Sequence, residues 1–190
     1  MFDALQTRTL PEPLRVAFYG ALFAMAALDQ GIDPEEWALI YDQLDTHGLS
    51  PAGEERLKGF ILSPPRLLEC LTFLGRAEEA VRFGTMINLL DVAYADERLA
   101  DAEAEALDEA AAILLVDPFQ VDAMKDFIDA LRQIRRAGRG EGAALQAVRV
   151  ATERLYAAGI PSEAVRFSSA FLYEPSLEAV TGAHPVMPRP

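Results

Sequence analysis

The chain has 190 residues, 51% of them hydrophobic, with alanine and leucine abundant and few runs of Val, Ile or Thr. That length buries roughly 70% of the unfolded surface, and the composition excludes intrinsic disorder and favours helix over strand. The formal charge of -13 repels phosphate backbones and anionic lipid heads, and the single cysteine, Cys70, excludes an intramolecular disulfide or a thiolate metal cluster.

No basic start followed by an apolar run opens the sequence, so no signal peptide is expected. The apolar stretch from Val16 to Leu28 is too short to span a bilayer. A soluble, cytoplasmic, all-helical protein of about eight helices and no sheet is expected. The first helix is predicted from Pro13, which suits a first turn, to Asp29. Phe18, Leu22 and Met25 recur along its apolar face, while Gly20, Ala21 and Ala24 leave room for close packing. Gly31 then supplies a left-handed stop. Asp33-Pro34-Glu35-Glu36 reads as an acidic cap, a proline at the first helical position and a returning glutamate. Trp37, Ile40, Tyr41 and Leu44 form the stripe of that second helix, which ends near His47-Gly48.

Ser50-Pro51 starts another helix, with Leu57, Phe60 and Ile61 inward, and Ser63-Pro64-Pro65 breaks it. A short helix follows through Leu67, Cys70, Leu71 and Leu74, in which Cys70 reads as a small buried hydrophobe. A long helix is predicted from Glu78 to Asp96, with Phe83, Ile87, Leu90 and Val92 in the core. An alanine-rich one spans Asp101 to Leu115. Asp117-Pro118-Phe119-Gln120 repeats the cap, proline and returning-residue pattern and opens a helix through Val121, Met124, Phe127, Ile128 and Leu131. Gly138, Gly140 and Gly142 form a linker without phosphate-loop spacing. A helix from Glu141 to Ala157, a last one through Val165, Phe167, Phe171 and Leu172, and a frayed tail from Gly182 complete the chain.

The first two-thirds of the sequence superimposes on itself, without a gap, at an offset of 67 residues. Arg15 falls on Arg82, Leu22 on Leu89, Asp29 on Asp96, Glu36 on Glu103, Pro51 on Pro118 and Lys58 on Lys125. There are nine identities over the 49 positions from Pro13 to Ile61. The coincidence of caps carries more weight than the identities, because Ser50-Pro51 lies on Asp117-Pro118 and both lysines of the chain align. Such a period implies stacked copies of one supersecondary unit. The expected division is one unit over 13–75, a second over 76–137, C-terminal helices over 141–180 packed on the second unit, and a disordered tail over 182–190. A fainter third echo places Ala147-Val148-Arg149 and Thr152 one period after Ala80-Val81-Arg82 and Thr85.

The segments Asp29-Gln30-Gly31-Ile32-Asp33-Pro34-Glu35-Glu36 and Asp96-Glu97-Arg98-Leu99-Ala100-Asp101-Ala102-Glu103 resemble the signature of the tellurite-resistance TerB family. The same helical domain occurs in the N-terminal part of the DjlA co-chaperone. The resemblance covers Pro13 to Leu131 as two copies. Gln30 and Glu97 stand where family members carry glycine after the first acid. The resemblance implies an all-helical fold, a link to stress responses, and acidic residues that bind divalent metal.

The residues themselves admit two readings. Asp29 and Glu36, like Asp96 and Glu103, lie across a tight helix-to-helix turn that can bring two carboxylates to one hard cation such as Ca²⁺. Asp33 and Asp101 are the further ligand candidates. Against this, Asp33 and Glu36 are well placed to cap a helix, and Asp29 to accept from turn backbone. Arg15 and Arg82 are expected to pair with an acid of the facing unit or to lie on the surface. His47 suits a helix end, and His184 lies in the tail, with no cysteine or second histidine near either to complete a zinc set. The leading expectation is therefore a non-catalytic module, without a cofactor, that binds a protein partner or self-associates. A divalent-cation-binding protein comes second and an enzyme third.

Overall fold

Proline, left-handed turns and side-chain caps divide this chain into helices, as the order of breakers in the sequence requires. The computed structural model describes residues 6–28, 40, 46–95, 99–137 and 142–165. After a short 3₁₀ turn (Gln6–Thr9) come α1 (Glu12–Ala26), α2 (Pro51–Leu62), α3 (Leu67–Leu74), α4 (Glu79–Ala93), α5 (Asp101–Leu114), α6 (Pro118–Ala137), α7 (Gly142–Ala157) and the single turn α8 (Ser162–Val165). The described residues contain no strand. The predicted second helix lies outside them, apart from the buried Ile40. So do Trp37, Tyr41, Leu44, Gly31, Phe167, Phe171, Leu172 and the expected tail.

The architecture is centred on α1 and α4, which pack on each other and are buried on nearly every side. That is the fate of a helix whose apolar residues run all the way round. α1 also carries α2 and α3 on its flanks, whereas α4 carries α5, α6 and α8, and α7 lies along α6. Phe18, Leu22, Met25, Phe83, Ile87, Leu90 and Val92 are buried as their spacing predicts, and so are Met124, Phe127, Ile128 and Leu131 of α6. The small residues act as expected too. A Cβ on Gly20 would stand 3.0 Å from the Cys70 sulfur and 3.1 Å from Pro65, so α1 and α3 meet where one side has no side chain. Gly75 allows a second close approach, since a Cβ there would lie 2.8 Å from the Ile113 carbonyl oxygen at the end of α5.

Both central helices stop earlier than the sequence predicts. α1 closes at Ala26 and α4 at Ala93, because the Leu28 N–H bonds the Met25 carbonyl at 3.1 Å and the Ala95 N–H bonds that of Val92 at 3.0 Å. These i, i+3 bonds tighten the last turn before the acidic segments.

Positions 67 apart in sequence do matching work. α1 and α4 are each 15 residues long and start on equivalent glutamates, Glu12 and Glu79. Arg15 donates from Nη2 to the His47 carbonyl at 2.8 Å, and Arg82 donates from Nη1 to the Leu114 carbonyl at 2.8 Å. The next residue is left-handed in both cases: Gly48 at φ 76° and Leu115 at φ 58°. Then comes a cap. Ser50 Oγ accepts from the Gly53 N–H at 3.1 Å, and Asp117 Oδ1 accepts from the Gln120 N–H at 2.9 Å. Proline follows each cap at the first helical position.

Both arginines thus pair with backbone rather than with an acid of a facing unit, and Arg15 is buried rather than on the surface. Arg15 is only 3% exposed and its Nε has no acceptor. The bond to the His47 carbonyl and the field of nearby Glu12 offset its burial.

Two stability predictions result. Removing the buried guanidinium by Arg15→Ala costs about 2–3 kcal/mol, and Arg82→Ala, at a half-buried site, about 1–2 kcal/mol; urea unfolding of both variants measures the difference. The left-handed positions should respond oppositely. Gly48→Ala meets no neighbour within 4 Å, so its loss of about 1 kcal/mol is purely backbone strain. Leu115→Gly, which relieves the same strain, leaves stability unchanged or raises it by up to about 1 kcal/mol in the same assay.

Candidate functional site

Six acids were singled out by the sequence as metal candidates: Asp29, Asp33, Glu36, Asp96, Asp101 and Glu103. The first four lie outside the described residues. Asp101 and Glu103 sit in the first turn of α5, where the positive end of the helix favours both. Asp101 is exposed, whereas Glu103 is only 3% exposed. Glu103 folds back so that Oε2 accepts the Ala100 N–H at 2.8 Å, which is the returning half of a capping box. Alanine at position 100 cannot provide the other half, having no side-chain acceptor. Among the described residues no three of His, Cys, Asp and Glu come close enough together to hold a metal ion.

The starts of α6 and α2 solve the same backbone problem differently. At α6 the box is complete within four residues, because Gln120 Oε1 accepts the Asp117 N–H at 3.1 Å while Asp117 caps Gln120. At α2 the acceptor comes from another helix. Glu12 of α1 accepts the Ser50 N–H through Oε2 at 2.7 Å and the Ser50 hydroxyl through Oε1 at 2.7 Å. Those two bonds from Ser50, with Arg15 adding to them, hold the Glu12 carboxyl below the usual carboxylate range. Sequence reasoning missed Glu12, because a carboxylate that caps a helix 38 residues away leaves no local pattern.

The remaining reactive groups are quiet. Cys70 is buried, and burial pushes its thiol up to about 11, which disfavours the thiolate that nucleophilic chemistry needs. His47 is exposed and contributes its backbone carbonyl to Arg15. Thr85 and Asn88, buried on α4, donate to the Val81 and Gly84 carbonyls of their own helix at 2.7 Å each. Thr152 of α7 does the same to Val148 at 2.8 Å, one period after Thr85. The one cluster of arginines in this acidic sequence lies at 132–139, where Arg132 is 3.8 Å from Asp129 and Arg136 is exposed, while Arg139 lies outside the described residues.

The surface is less ordinary. Leu62 is 89% exposed, Leu115 70%, Phe119 68%, Leu68 51% and Phe73 44%. Leu62 and Leu68 flank the α2–α3 break, Phe73 lies near the end of α3, and Leu115 and Phe119 bracket the α5–α6 turn; Val150 of α7 is also 47% exposed. Phe119 and Leu115 escaped notice because exposure depends on which way a turn faces, and periodicity does not encode that.

Glu103→Ala leaves the Ala100 N–H without its acceptor and is expected to cost about 1–2 kcal/mol, whereas Glu103→Gln keeps an acceptor and loses less than half of that. Thermal and urea unfolding of the pair, compared with wild type, checks the order. No protein-family model matches this chain, and no curated protein or solved structure shows significant similarity to it.

Proposed function

We propose that the chain is a cytoplasmic, TerB-like interaction module, built from two diverged copies of one helical unit, that binds a protein partner and carries out no reaction of its own. The duplication is supported by Arg15 and Arg82, which grip equivalent carbonyls, and by the left-handed residues and caps that follow each. The binding role is carried by one observation. Among the described residues, Leu62, Leu68 and Phe73 on α2 and α3, and Leu115 and Phe119 about the α5–α6 turn, are left between 44% and 89% exposed on an otherwise acidic protein.

Isolated exposed apolar residues are normal on any protein surface, but grouped ones mark contact sites. Leucine and phenylalanine cost solubility where so much of their surface is left in water. The acidic body adds a condition, since a charge of -13 disfavours anionic partners and self-association and favours basic protein surfaces. A role in a stress response follows from the TerB-like motif alone.

The test is affinity purification from native extract, with wild type and a variant carrying Leu62→Ser, Leu68→Ser, Phe73→Ser, Leu115→Gly and Phe119→Ser on separate columns. At least one protein is expected to be retained near one-to-one by wild type and lost by the variant. A wild-type column that retains nothing the variant does not would remove the basis for this reading.

A further inference from the structure

The α5–α6 corner carries a feature that folding does not require. The turn after α5 closes with the Val116 N–H bonded to the Ala111 carbonyl at 2.9 Å, a geometry that puts residue 115 in the left-handed region at φ 58°. The matching position of the first half is Gly48, at φ 76°, where the conformation costs no steric strain. At 115 the chain instead places a leucine, which is strained there by about 1 kcal/mol, and 70% of its surface remains in solvent. Four residues on, Phe119 is 68% exposed at the second position of α6, where the first half has Ala52. The second half therefore carries two large apolar side chains where the first has a glycine and an alanine, and neither is used for packing.

Strain and exposed apolar surface retained together at one point indicate a contact made outside the chain. The neighbouring charges say what makes it. Asp117 stands between the two apolar residues, Asp122 follows Phe119 by one turn of α6, and Asp108 lies two turns before Leu115 on α5; all three are exposed. A second copy of this chain would bring the same charge of -13 against them, and a nucleic acid would bring its phosphates. A partner segment with basic residues flanking apolar ones is complementary on both counts.

We propose that Leu115 and Phe119 form an apolar docking point, bordered by Asp108, Asp117 and Asp122, for a basic amphipathic segment of a partner protein. The inference rests on the interaction-module reading above and assigns both its site and the chemistry of its partner.

The test uses a fluorescein-labelled 14-residue peptide of leucine and lysine in helical period. A control peptide has every leucine replaced by serine. Anisotropy titrations near physiological salt compare three full-length proteins: wild type, Leu115→Gly with Phe119→Ala, and Leu62→Ala with Leu68→Ala and Phe73→Ala. Leu115→Gly suits the left-handed turn and Phe119 is exposed, so the double variant keeps its fold, as circular dichroism and urea unfolding verify. The expected result is binding of the leucine–lysine peptide that is about tenfold or more weaker to the Leu115/Phe119 variant, unchanged for the triple variant, and well above that of the serine–lysine control. Equal affinity for wild type and the Leu115/Phe119 variant overturns the assignment, as does failure of wild type to bind the leucine–lysine peptide. If the loss falls on the triple variant instead, the site is at the α2–α3 corner and the interaction-module reading survives without this one. If both peptides bind all three proteins alike, charge alone attracts them and the apolar basis of both readings fails.

Discussion

A guanidinium reaching across to a main-chain carbonyl at the turn ahead of the next helix is the interaction on which the arrangement of this molecule depends. Arg15 and Arg82 each sit in the first turn of a central helix, and each bonds the carbonyl just before a left-handed residue. Both partners gain from the meeting. The Leu114 carbonyl ends α5, and such terminal carbonyls have no intrahelical donor and carry the negative end of the helix dipole. A buried arginine needs acceptors of that kind, because its charge cannot be left in an apolar interior unaccompanied. The bond fixes where the following turn lies relative to the central helix. The cap and proline that come next can then launch α2 and α6 in a defined direction.

Equivalent backbone requirements are met by different side chains at positions 67 apart in the two halves. The N–H that opens α2 is held by Glu12 from another helix, and the one that opens α6 is held by Gln120 of the same helix. The left-handed residue is glycine in one half and leucine in the other. What is constant is the donor or acceptor that must be satisfied, not the residue that satisfies it. Few residues are identical between the halves, yet helices α1 and α4 have the same length and are both buried over most of it.

Much of the fold was legible in the sequence because its punctuation is local. Ser50-Pro51, Asp117-Pro118 and the Ser63-Pro64-Pro65 break act within four residues of themselves, and helical spacing alone placed Phe83, Ile87 and Leu90 inside. The arginines were misjudged because their partners are main-chain carbonyls, which every residue possesses and no side chain announces. Glu12 was missed because its cap lies far along the chain. The candidate acids were legible as acids at turns. Whether a given one serves a cap is set by rotamer and reach, as Glu103 illustrates by folding back on Ala100. The apolar corners were the least visible, since leucine and phenylalanine read as core wherever they occur.

The contact between Gly20 and Cys70 has a consequence for motion. The sulfur lies so near α1 that even a methyl group there would press on it, and the thiol is buried at the seam between α1 and α3. A bulky thiol reagent cannot reach it while those helices stay together. The rate at which such a reagent consumes Cys70 therefore reports how often the seam opens, much as amide exchange reports local unfolding. The only sulfhydryl of the chain is in effect a built-in clock for the breathing of its first half.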